Sequence, residues 1–276
     1  MTIDQYYDRI IESAAYLQNK VKDFPTVAVQ MGTGLSSLAD ELADATTINY
    51  SDIPHFPEST VQSHKGALVI GKLSGVPVAV LAGRWHYYEG YSTKEITFPI
   101  RVLRHLGVEH MLFTNVSGGV NSEYNAGDLV VITDHINAIP DHPLRGAHDQ
   151  RLGPRFPDMM HTYDGGIQQL IKEAAYRLHV NVHSGVYYGL QGPSLETPAE
   201  YVMIHRVGAD MVGMSTVPEV IVAKHGGMKV GAVSIVSNVC YPPERITETT
   251  VEEVIAVANR AASKLNGVLA EVIKSL

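Results

Sequence analysis

Arg84, His86 and Tyr88 alternate along the segment GRWHYYEGYS, residues 83–92, which directly follows the apolar run VPVAVLAG. Alternate side chains of an extended segment face the same side, so these three predict a polar site while the intervening aromatic residues face the core. The arginine guanidinium presents planar, paired donors that suit a phosphate group. The segment therefore predicts an anion site at the end of a buried strand, and its alternative is a solvated loop with buried aromatic side chains.

A second candidate anion site is the segment MGTGLSSLAD, residues 31–40, which follows another apolar run. Its glycines allow the backbone to approach a ligand, the helix that we expect to begin there favours an anion, and Thr33 adds a hydroxyl. The dinucleotide fingerprint is incomplete, because Ser37 stands where the third glycine of G-x-G-x-x-G belongs. Asp52 lies roughly where a ribose-binding acid would follow, but no strand obviously ends at it. NAD binding and a turn that merely needs small residues stay open as alternatives.

Further predicted strands end in polar residues that could bind an anion. The segment TNVSGGVN places Asn115 and Ser117 beside two glycines, and GMSTVPEV places Met214 and Ser215 directly before a helix. Backbone N–H groups at such glycines and at the start of a helix suit a negative charge. Each feature also has a structural interpretation, since Ser215 could act only as a helix cap.

Three more residues could contact a polar ligand, and each has a structural alternative. Asn238 ends the strand-like run IVSN, where it could be only a turn residue. Glu196 precedes a predicted helix, so it could simply be an N-terminal acid beside a Thr197 cap. His64 precedes a strand, and a lone histidine is often a surface or packing residue. Together, the strand ends predict a site for a small ligand with an anionic part and a polar heterocyclic part.

The segments that must position these residues alternate between strand-like and helix-like patterns. We predict strands at 26–32, 67–83 (two strands joined by a turn), 109–119, 128–137, 184–192, 209–214 and 228–238, and helices at 4–20, 93–106, 164–179, 198–207, 216–226 and 248–275. This alternation predicts one α/β domain over residues 1–276, with a largely parallel or mixed sheet between helices and the ligand beyond the carboxyl ends of its strands. Residues 138–163, rich in Pro, Gly, His and Arg, predict a long loop.

Composition limits the functional classes. The chain has 276 residues, a formal net charge of −8 and a pI of about 5.9, so general attraction to nucleic acid or to an anionic membrane is not expected. The single cysteine, Cys240, favours a reducing compartment. Neither a signal peptide nor a run of about 18 apolar residues is evident, so we expect a cytoplasmic protein. The histidines lack zinc-site spacing and no G-x-S-x-G motif occurs, so we expect no metal and no serine nucleophile.

The same segments resemble the trimeric purine nucleoside phosphorylases that are specific for 6-oxopurines. The matching segments extend from about residue 20 to the end: GTGLSSLAD, HKGALVIG, GRWHYYEGY, TFPIRVLRHLGV, TNVSGGVN, GDLVVITDHIN, HPLRG, GPSLETPAE and GADMVGMSTVPEVIVAKH. The resemblance implies the nucleoside phosphorylase fold, with a mixed and partly barrel-like sheet. It also implies reversible phosphorolysis of inosine or guanosine to the free base and ribose 1-phosphate, with phosphate as a co-substrate and no cofactor.

The resemblance further implies roles for individual residues. Phosphate binding falls to Thr33, His64, Arg84, His86, the backbone N–H of Val116, and Ser215. The ribose contacts fall to Tyr88 and Met214, and the purine contacts to Leu195, Glu196, Val212 and Asn238. His86, Glu196 and Asn238 are the implied catalytic residues. Phe156 is implied to reach into the site of a neighbouring subunit, which makes a homotrimer part of the prediction.

Two departures from the family pattern concern substrate recognition. Leu195 stands where the family usually has a phenylalanine, and Val251 stands near the place of a histidine that contacts the ribose 5′-hydroxyl. We therefore hypothesise altered recognition of the 5′ position. One alternative is a methylthioadenosine phosphorylase, which Val251 favours and Asn238 opposes, because an amide can donate to a purine O6. A nucleoside hydrolase and a non-catalytic nucleoside or nucleotide sensor are the others.

Overall fold

A mixed sheet of nine strands runs through the part of the chain that the computed structural model describes, residues 2–58 and 66–276. The strands are β1 (Val27–Gln30), β2 (Ala43–Asn49), β3 (Ala67–Leu73), β4 (Val76–Ala82), β5 (His110–Gly119), β6 (Leu129–Asn137), β7 (Val182–Gly189), β8 (Met211–Gly213) and β9 (Lys229–Val239). Their order is β2-β3-β4-β1-β5-β8-β7-β6-β9, and β9 also pairs with β5. The last five strands therefore close into a barrel, which confirms the predicted mixed, partly barrel-like α/β fold.

Seven α-helices within the same described residues cover both faces of the sheet. They are α1 (Ile3–Lys20), α2 (Thr93–Ile96), α3 (Phe98–His105), α4 (Gly165–Arg177), α5 (Pro198–Arg206), α6 (Val217–His225) and α7 (Val251–Ile273). Apolar residues of α1, α3 and α6 pack in one buried cluster, and those of α4 and α7 pack in another. In this described part of the chain, no helix is both long and apolar enough to cross a membrane.

Four strands bring their carboxyl ends to one edge of the sheet. Strand β1 lies parallel to β4 and β5, and β5 lies parallel to β9. The residues that follow or end these strands are therefore neighbours in space although they are far apart in sequence. The register of β5 against β9 shifts between Ser117 and Gly118, opposite Asn238. Such irregularities re-aim side chains, and this one lies at the predicted site.

Three local features differ from the sequence-based expectations. Strand β2 was not predicted, because its mostly exposed residues show little apolar patterning and it lies at the sheet edge. The helix expected after Thr33 is a short 3-10 helix, Ser36–Glu41. The helix expected at 93–106 is interrupted at Thr97, because Pro99 has no backbone N–H to continue the hydrogen bonding of the preceding turn.

The long loop at 138–163 is held against the core by a buried arginine and a buried histidine. Nη1 of Arg101 donates to the Leu152 carbonyl at 2.9 Å and lies 2.8 Å from Nδ1 of His225. Nε2 of His225 lies 2.8 Å from the Pro154 carbonyl. Guanidinium only donates and a carbonyl only accepts, so Nδ1 of the histidine accepts and Nε2 donates. This geometry requires a neutral imidazole.

Acidification is expected to weaken this attachment of the loop. Burial and the neighbouring Arg101 lower the pKa of His225 to about 4, below its usual 6.5. Between these values the unfolded chain binds a proton that the folded chain does not, so stability falls as pH drops below about 6.5. When urea unfolding is measured between pH 7 and pH 4, the free energy of unfolding of His225→Gln should depend less on pH than that of the wild type, because glutamine cannot titrate. The exposed control His161→Gln should keep the wild-type slope, and equal slopes in all three proteins would contradict the assignment.

Candidate active site

A cavity of about 200 Å³ opens where the carboxyl ends of the parallel strands meet. Eleven of the thirteen residues predicted for the site from the sequence line this cavity. They are Thr33, Arg84, His86, Tyr88, Val116, Leu195, Glu196, Val212, Met214, Ser215 and Asn238. The structure therefore brings together side chains from six separate segments of the sequence.

The two other predicted residues are His64 and Phe156. His64 lies in residues 59–65, outside the described ranges. Phe156 lies on the long loop with its side chain 87% exposed, beside a separate cavity that Arg155 and Met159 also line. An exposed phenylalanine is compatible with the predicted contact to a neighbouring subunit, and that contact stays a prediction.

The turn after β1 is closely packed against β5. A Cβ at Gly32 would lie 2.8 Å from the Asn115 Cα, and the Gly32 N–H donates to the Thr114 hydroxyl at 3.1 Å. Gly34 has a φ of +73°, which favours glycine. These two glycines therefore serve close approach and chain reversal, and they bring Thr33 to the cavity wall.

Arg84 is a fixed positive charge beneath the cavity, with a side chain only 1% exposed. Its Nη1 donates to the Thr216 hydroxyl at 2.9 Å and pairs with a Glu219 carboxylate oxygen at 3.3 Å, while Nη2 donates to the Thr114 carbonyl. Nε makes no hydrogen bond to any residue in 2–58 or 66–276. Both terminal nitrogens of the guanidinium are therefore held in place, and the buried Nε–H donor is available to another partner.

Thr216 connects several of these groups through a single hydroxyl. Its φ of +72° is rare for a β-branched residue and costs on the order of 1–3 kcal/mol. The hydroxyl accepts from Nδ2 of Asn115 at 2.8 Å as well as from Arg84, and it lies 3.0 Å from the Ser215 hydroxyl. The strained backbone therefore holds Ser215 beside Arg84.

Sequence reasoning missed Thr216 and Glu219, although one signal was available. In α6 the stretch VPEVIVA is otherwise apolar, and Glu219 is completely buried within it. A lone acid in such a stretch requires a charged or hydrogen-bonding partner, because an unpaired buried charge is very costly. That requirement points toward a buried basic partner, which the structure shows to be Arg84.

His86 is oriented by its own loop. A Glu89 carboxylate oxygen lies 2.9 Å from the ring Nδ1 and accepts from the His86 backbone N–H at 2.8 Å. The ring stacks on Tyr88 with centroids 4.7 Å apart. Trp85 points the other way and packs against Tyr50 in the core, as the alternation predicts. The carboxylate favours a proton on Nδ1, which fixes the tautomer and the direction of the ring.

The opposite end of the cavity carries a carboxylate and an amide. Thr197 caps α5 together with Glu200, as the structural alternative expected, and Glu196 precedes this cap and lines the cavity. Burial raises the pKa of Glu196 above its usual value. Oδ1 of Asn238 accepts from the Ser237 hydroxyl at 2.7 Å. This end therefore offers one acceptor and one amide to a polar planar ligand.

The mouth of the cavity is more apolar. Leu195 and Val251 are 51% and 65% exposed, and both line the cavity together with Val254 at the start of α7. The described residues contain no group of three or more His, Cys, Asp or Glu that could hold a metal ion. The cavity thus combines a cationic and hydroxyl-rich end, an end with a carboxylate and an amide, and an apolar rim.

Comparisons with known proteins agree on one family. A family model of the phosphorylase superfamily matches residues 26–274. The chain is 48% identical over 231 residues to purine nucleoside phosphorylase 1 of Bacillus subtilis, covering 84% of this chain and 85% of the relative. It is 42% identical over 266 residues to purine nucleoside phosphorylase of Bos taurus, covering 94% and 92%. A crystal structure of isoform 2 of the Schistosoma mansoni enzyme, in complex with cytosine and ribose-1-phosphate, has a TM-score of 0.93 at 40% identity, covering 98% of this chain and 97% of that one.

Proposed function

The chain belongs to the phosphorylase superfamily, and we propose that it catalyses the reversible phosphorolysis of purine nucleosides. Inosine or guanosine, or a 2′-deoxy counterpart, reacts with phosphate to give the free base and (deoxy)ribose 1-phosphate. Phosphate is a co-substrate in this proposal, and no cofactor takes part. Such a reaction serves purine salvage.

One observation carries the proposal: a single cavity joins an anion-binding end to a base-reading end. Thr33, His86 and Ser215 surround the anion end above the buried Arg84 charge. A sugar between phosphate and base would then lie against Tyr88 and Met214, which line the same cavity. Holding both reactants in one geometry removes much of the entropic barrier of a bimolecular reaction.

The phosphate end suits the nucleophile. Thr33, Arg84, His86, Ser215 and the backbone N–H of Val116 are the proposed ligands, together with His64 from outside the described residues. Positive charge develops on the sugar as the glycosidic bond breaks, and a phosphate dianion held at the anomeric carbon stabilises it. Because Arg84 is fixed by Thr216 and Glu219, its charge requires no reorganisation during the reaction.

The base end suits the leaving group. The departing purine gains negative charge, and an Asn238 N–H donor directed at N7 or O6 stabilises it. Glu196 accepts from the ring N1–H of a 6-oxopurine. A donor aimed at developing charge contributes on the order of 3 kcal/mol. Leu195 and Val212 supply the apolar walls for the base.

The proposal extends to the assembly. The exposed Phe156 supports a homotrimer in which it completes the site of a neighbour. Each copy contributes residues 1–276 as one domain. No nucleic acid or membrane takes part.

The decisive experiment is hypoxanthine release from inosine with and without added phosphate. Release that requires phosphate, with equimolar ribose 1-phosphate as the second product, supports the proposal. Release that proceeds equally without phosphate indicates a nucleoside hydrolase. Activity on methylthioadenosine but not on inosine would replace the proposal by the rival phosphorylase.

The apolar rim predicts weak recognition of the 5′-hydroxyl. Val251 and Val254 line the cavity but offer no hydrogen-bond partner from their side chains. We therefore expect kcat/KM for 5′-deoxyinosine within about tenfold of that for inosine, since at most one net hydrogen bond is lost. Val251→His should increase the preference for inosine. A preference of a hundredfold or more in the unmodified protein would contradict this prediction.

A further inference from the structure

A second cavity lies between the start of α1, the helices α2 and α3, and the long loop at 138–163. Its volume is about 110 Å³, against about 200 Å³ for the active-site cavity, and the two share no described lining residue. A water molecule needs only about 10–15 Å³ of such space, so the second cavity has room for a group of phosphate size.

Arg101 brings a buried positive charge to this second cavity. Its side chain is 7% exposed and lines the cavity. Nη1 lies 2.9 Å from the Leu152 carbonyl and 2.8 Å from Nδ1 of the neutral His225. Tyr6, which also lines the cavity, stays neutral because burial raises its pKa to about 12. No carboxylate in the described part of the chain forms an ion pair with Arg101.

Arg84 provides an instructive comparison with Arg101. Arg84 is also buried, but the Glu219 carboxylate pairs with it at 3.3 Å. A buried charge without a partner is costly, and an arginine cannot lose its proton to avoid that cost. Arg101 therefore favours an anion that the described residues do not supply, and the cavity gives such an anion a way to reach it.

Other basic groups surround the same space. Lys94 of α2 lines the cavity, and so do His148 and Arg155 of the long loop. A Cβ at Gly146 would lie 3.4 Å from Nζ of Lys94, so the ammonium group lies close to the loop backbone. Basic side chains from two helices and the loop therefore converge on one cavity.

The described lining contains one carboxylate, and its charge is already neutralised. Nε of Arg151 donates to the two oxygens of Asp149 at 2.9 and 2.8 Å, and Nη2 of Arg151 also donates to Asp4 at 2.9 Å. The backbone at the start of α1, Thr2 and Ile3, lines the cavity as well, and the start of a helix favours an anion. The cavity is thus locally basic in a chain whose formal net charge is −8.

We propose that the second cavity binds a phosphate group, either inorganic phosphate or a phosphate ester, and thereby ties the long loop to α2 and α3. The inference does not depend on the proposed function. Donors from several directions suit a tetrahedral anion with many acceptor positions, and the planar guanidinium of Arg101 suits phosphate in particular. Arg155 directly precedes the exposed Phe156, so the bound anion also restrains the segment that carries this side chain.

Hydrogen exchange measures both the binding and its location. Inorganic phosphate, added at constant ionic strength, should slow amide exchange at residues 141–155 of the wild type. Lys94→Gln and Arg155→Gln should each need about tenfold more phosphate for the same protection, because each loses a charge-assisted hydrogen bond. The control Lys264→Gln, an exposed lysine of α7 outside both cavities, should behave like the wild type.

A second ligand distinguishes the two sources of the phosphate group. Ribose 5-phosphate that protects residues 141–155 at lower concentration than inorganic phosphate identifies an ester as the preferred ligand, and the reverse order identifies the free ion. Both orders support the site, provided that Lys94→Gln weakens the protection. The inference is overturned by wild-type protein whose residues 141–155 gain no protection at millimolar phosphate. Protection that is equal in the wild type, Lys94→Gln and Arg155→Gln would overturn it too.

Discussion

Asn238→Asp is expected to lower kcat/KM for inosine by about 10²–10³ and to raise the adenosine-to-inosine ratio. The amide can donate to the O6 of a 6-oxopurine, whereas an ionised carboxylate only accepts and is repelled by that oxygen. Loss of one donor at a developing negative charge costs on the order of 3–4 kcal/mol. Steady-state rates with inosine, guanosine and adenosine at saturating phosphate measure both effects.

The control Asn238→Ala separates the lost donor from the new acceptor. Alanine removes the amide without adding a charge. It should therefore lower kcat/KM for inosine without raising kcat/KM for adenosine. The Ser237 hydroxyl that donates to Oδ1 can still donate to an aspartate oxygen, so the local fold should survive the acidic change. Inosine turnover that persists in Asn238→Asp would mean that another group reads O6.

The parts of the fold that the sequence predicts are those with strong local patterns. The amphipathic helices α1 and α7 and the buried strands β5, β6 and β9 lie close to the expected ranges. Strand β2 has no such pattern, because an exposed edge strand is defined by its pairing with β3 and not by burial. Closure of the barrel, through the second pairing of β9 with β5, is likewise a long-range property.

The cavity could be predicted only in part, for a related physical reason. Residues that would face a ligand, such as Arg84 and Asn238, stand out because polar groups rarely end a buried strand without a use. Residues that support them look ordinary in the sequence. Thr216 looks like an ordinary residue before α6, because its role depends on hydrogen bonds with Arg84 and Asn115 that are made across the fold.

Glu219→Ala is expected to lower the free energy of unfolding by about 3–5 kcal/mol. Arg84 and Glu219 form an ion pair in which the side chains are 1% and 0% exposed. Removing one partner of a buried pair leaves an uncompensated charge in a region of low dielectric constant, which is the costly case. Chemical denaturation of the parent and the variant measures the difference, and the same variant should bind phosphate more weakly because Arg84 is no longer held in one direction.

Glu252→Ala is a matched control. Glu252 also lies in the first turn of a helix, α7, but it is exposed, so its loss removes at most a helix-dipole interaction of under about 1 kcal/mol. The double change Arg84→Met with Glu219→Leu removes both charges, and it should unfold less readily than Glu219→Ala although it cannot bind phosphate through Arg84. A double variant that is less stable than Glu219→Ala would mean that the unpaired charge of Arg84 is not the cause of the instability of the single variant. We expect the double variant to regain stability relative to Glu219→Ala. That result would mean that the buried charge of Arg84 lowers the stability of the protein and serves phosphate binding, while Glu219 offsets most of this cost by pairing with it.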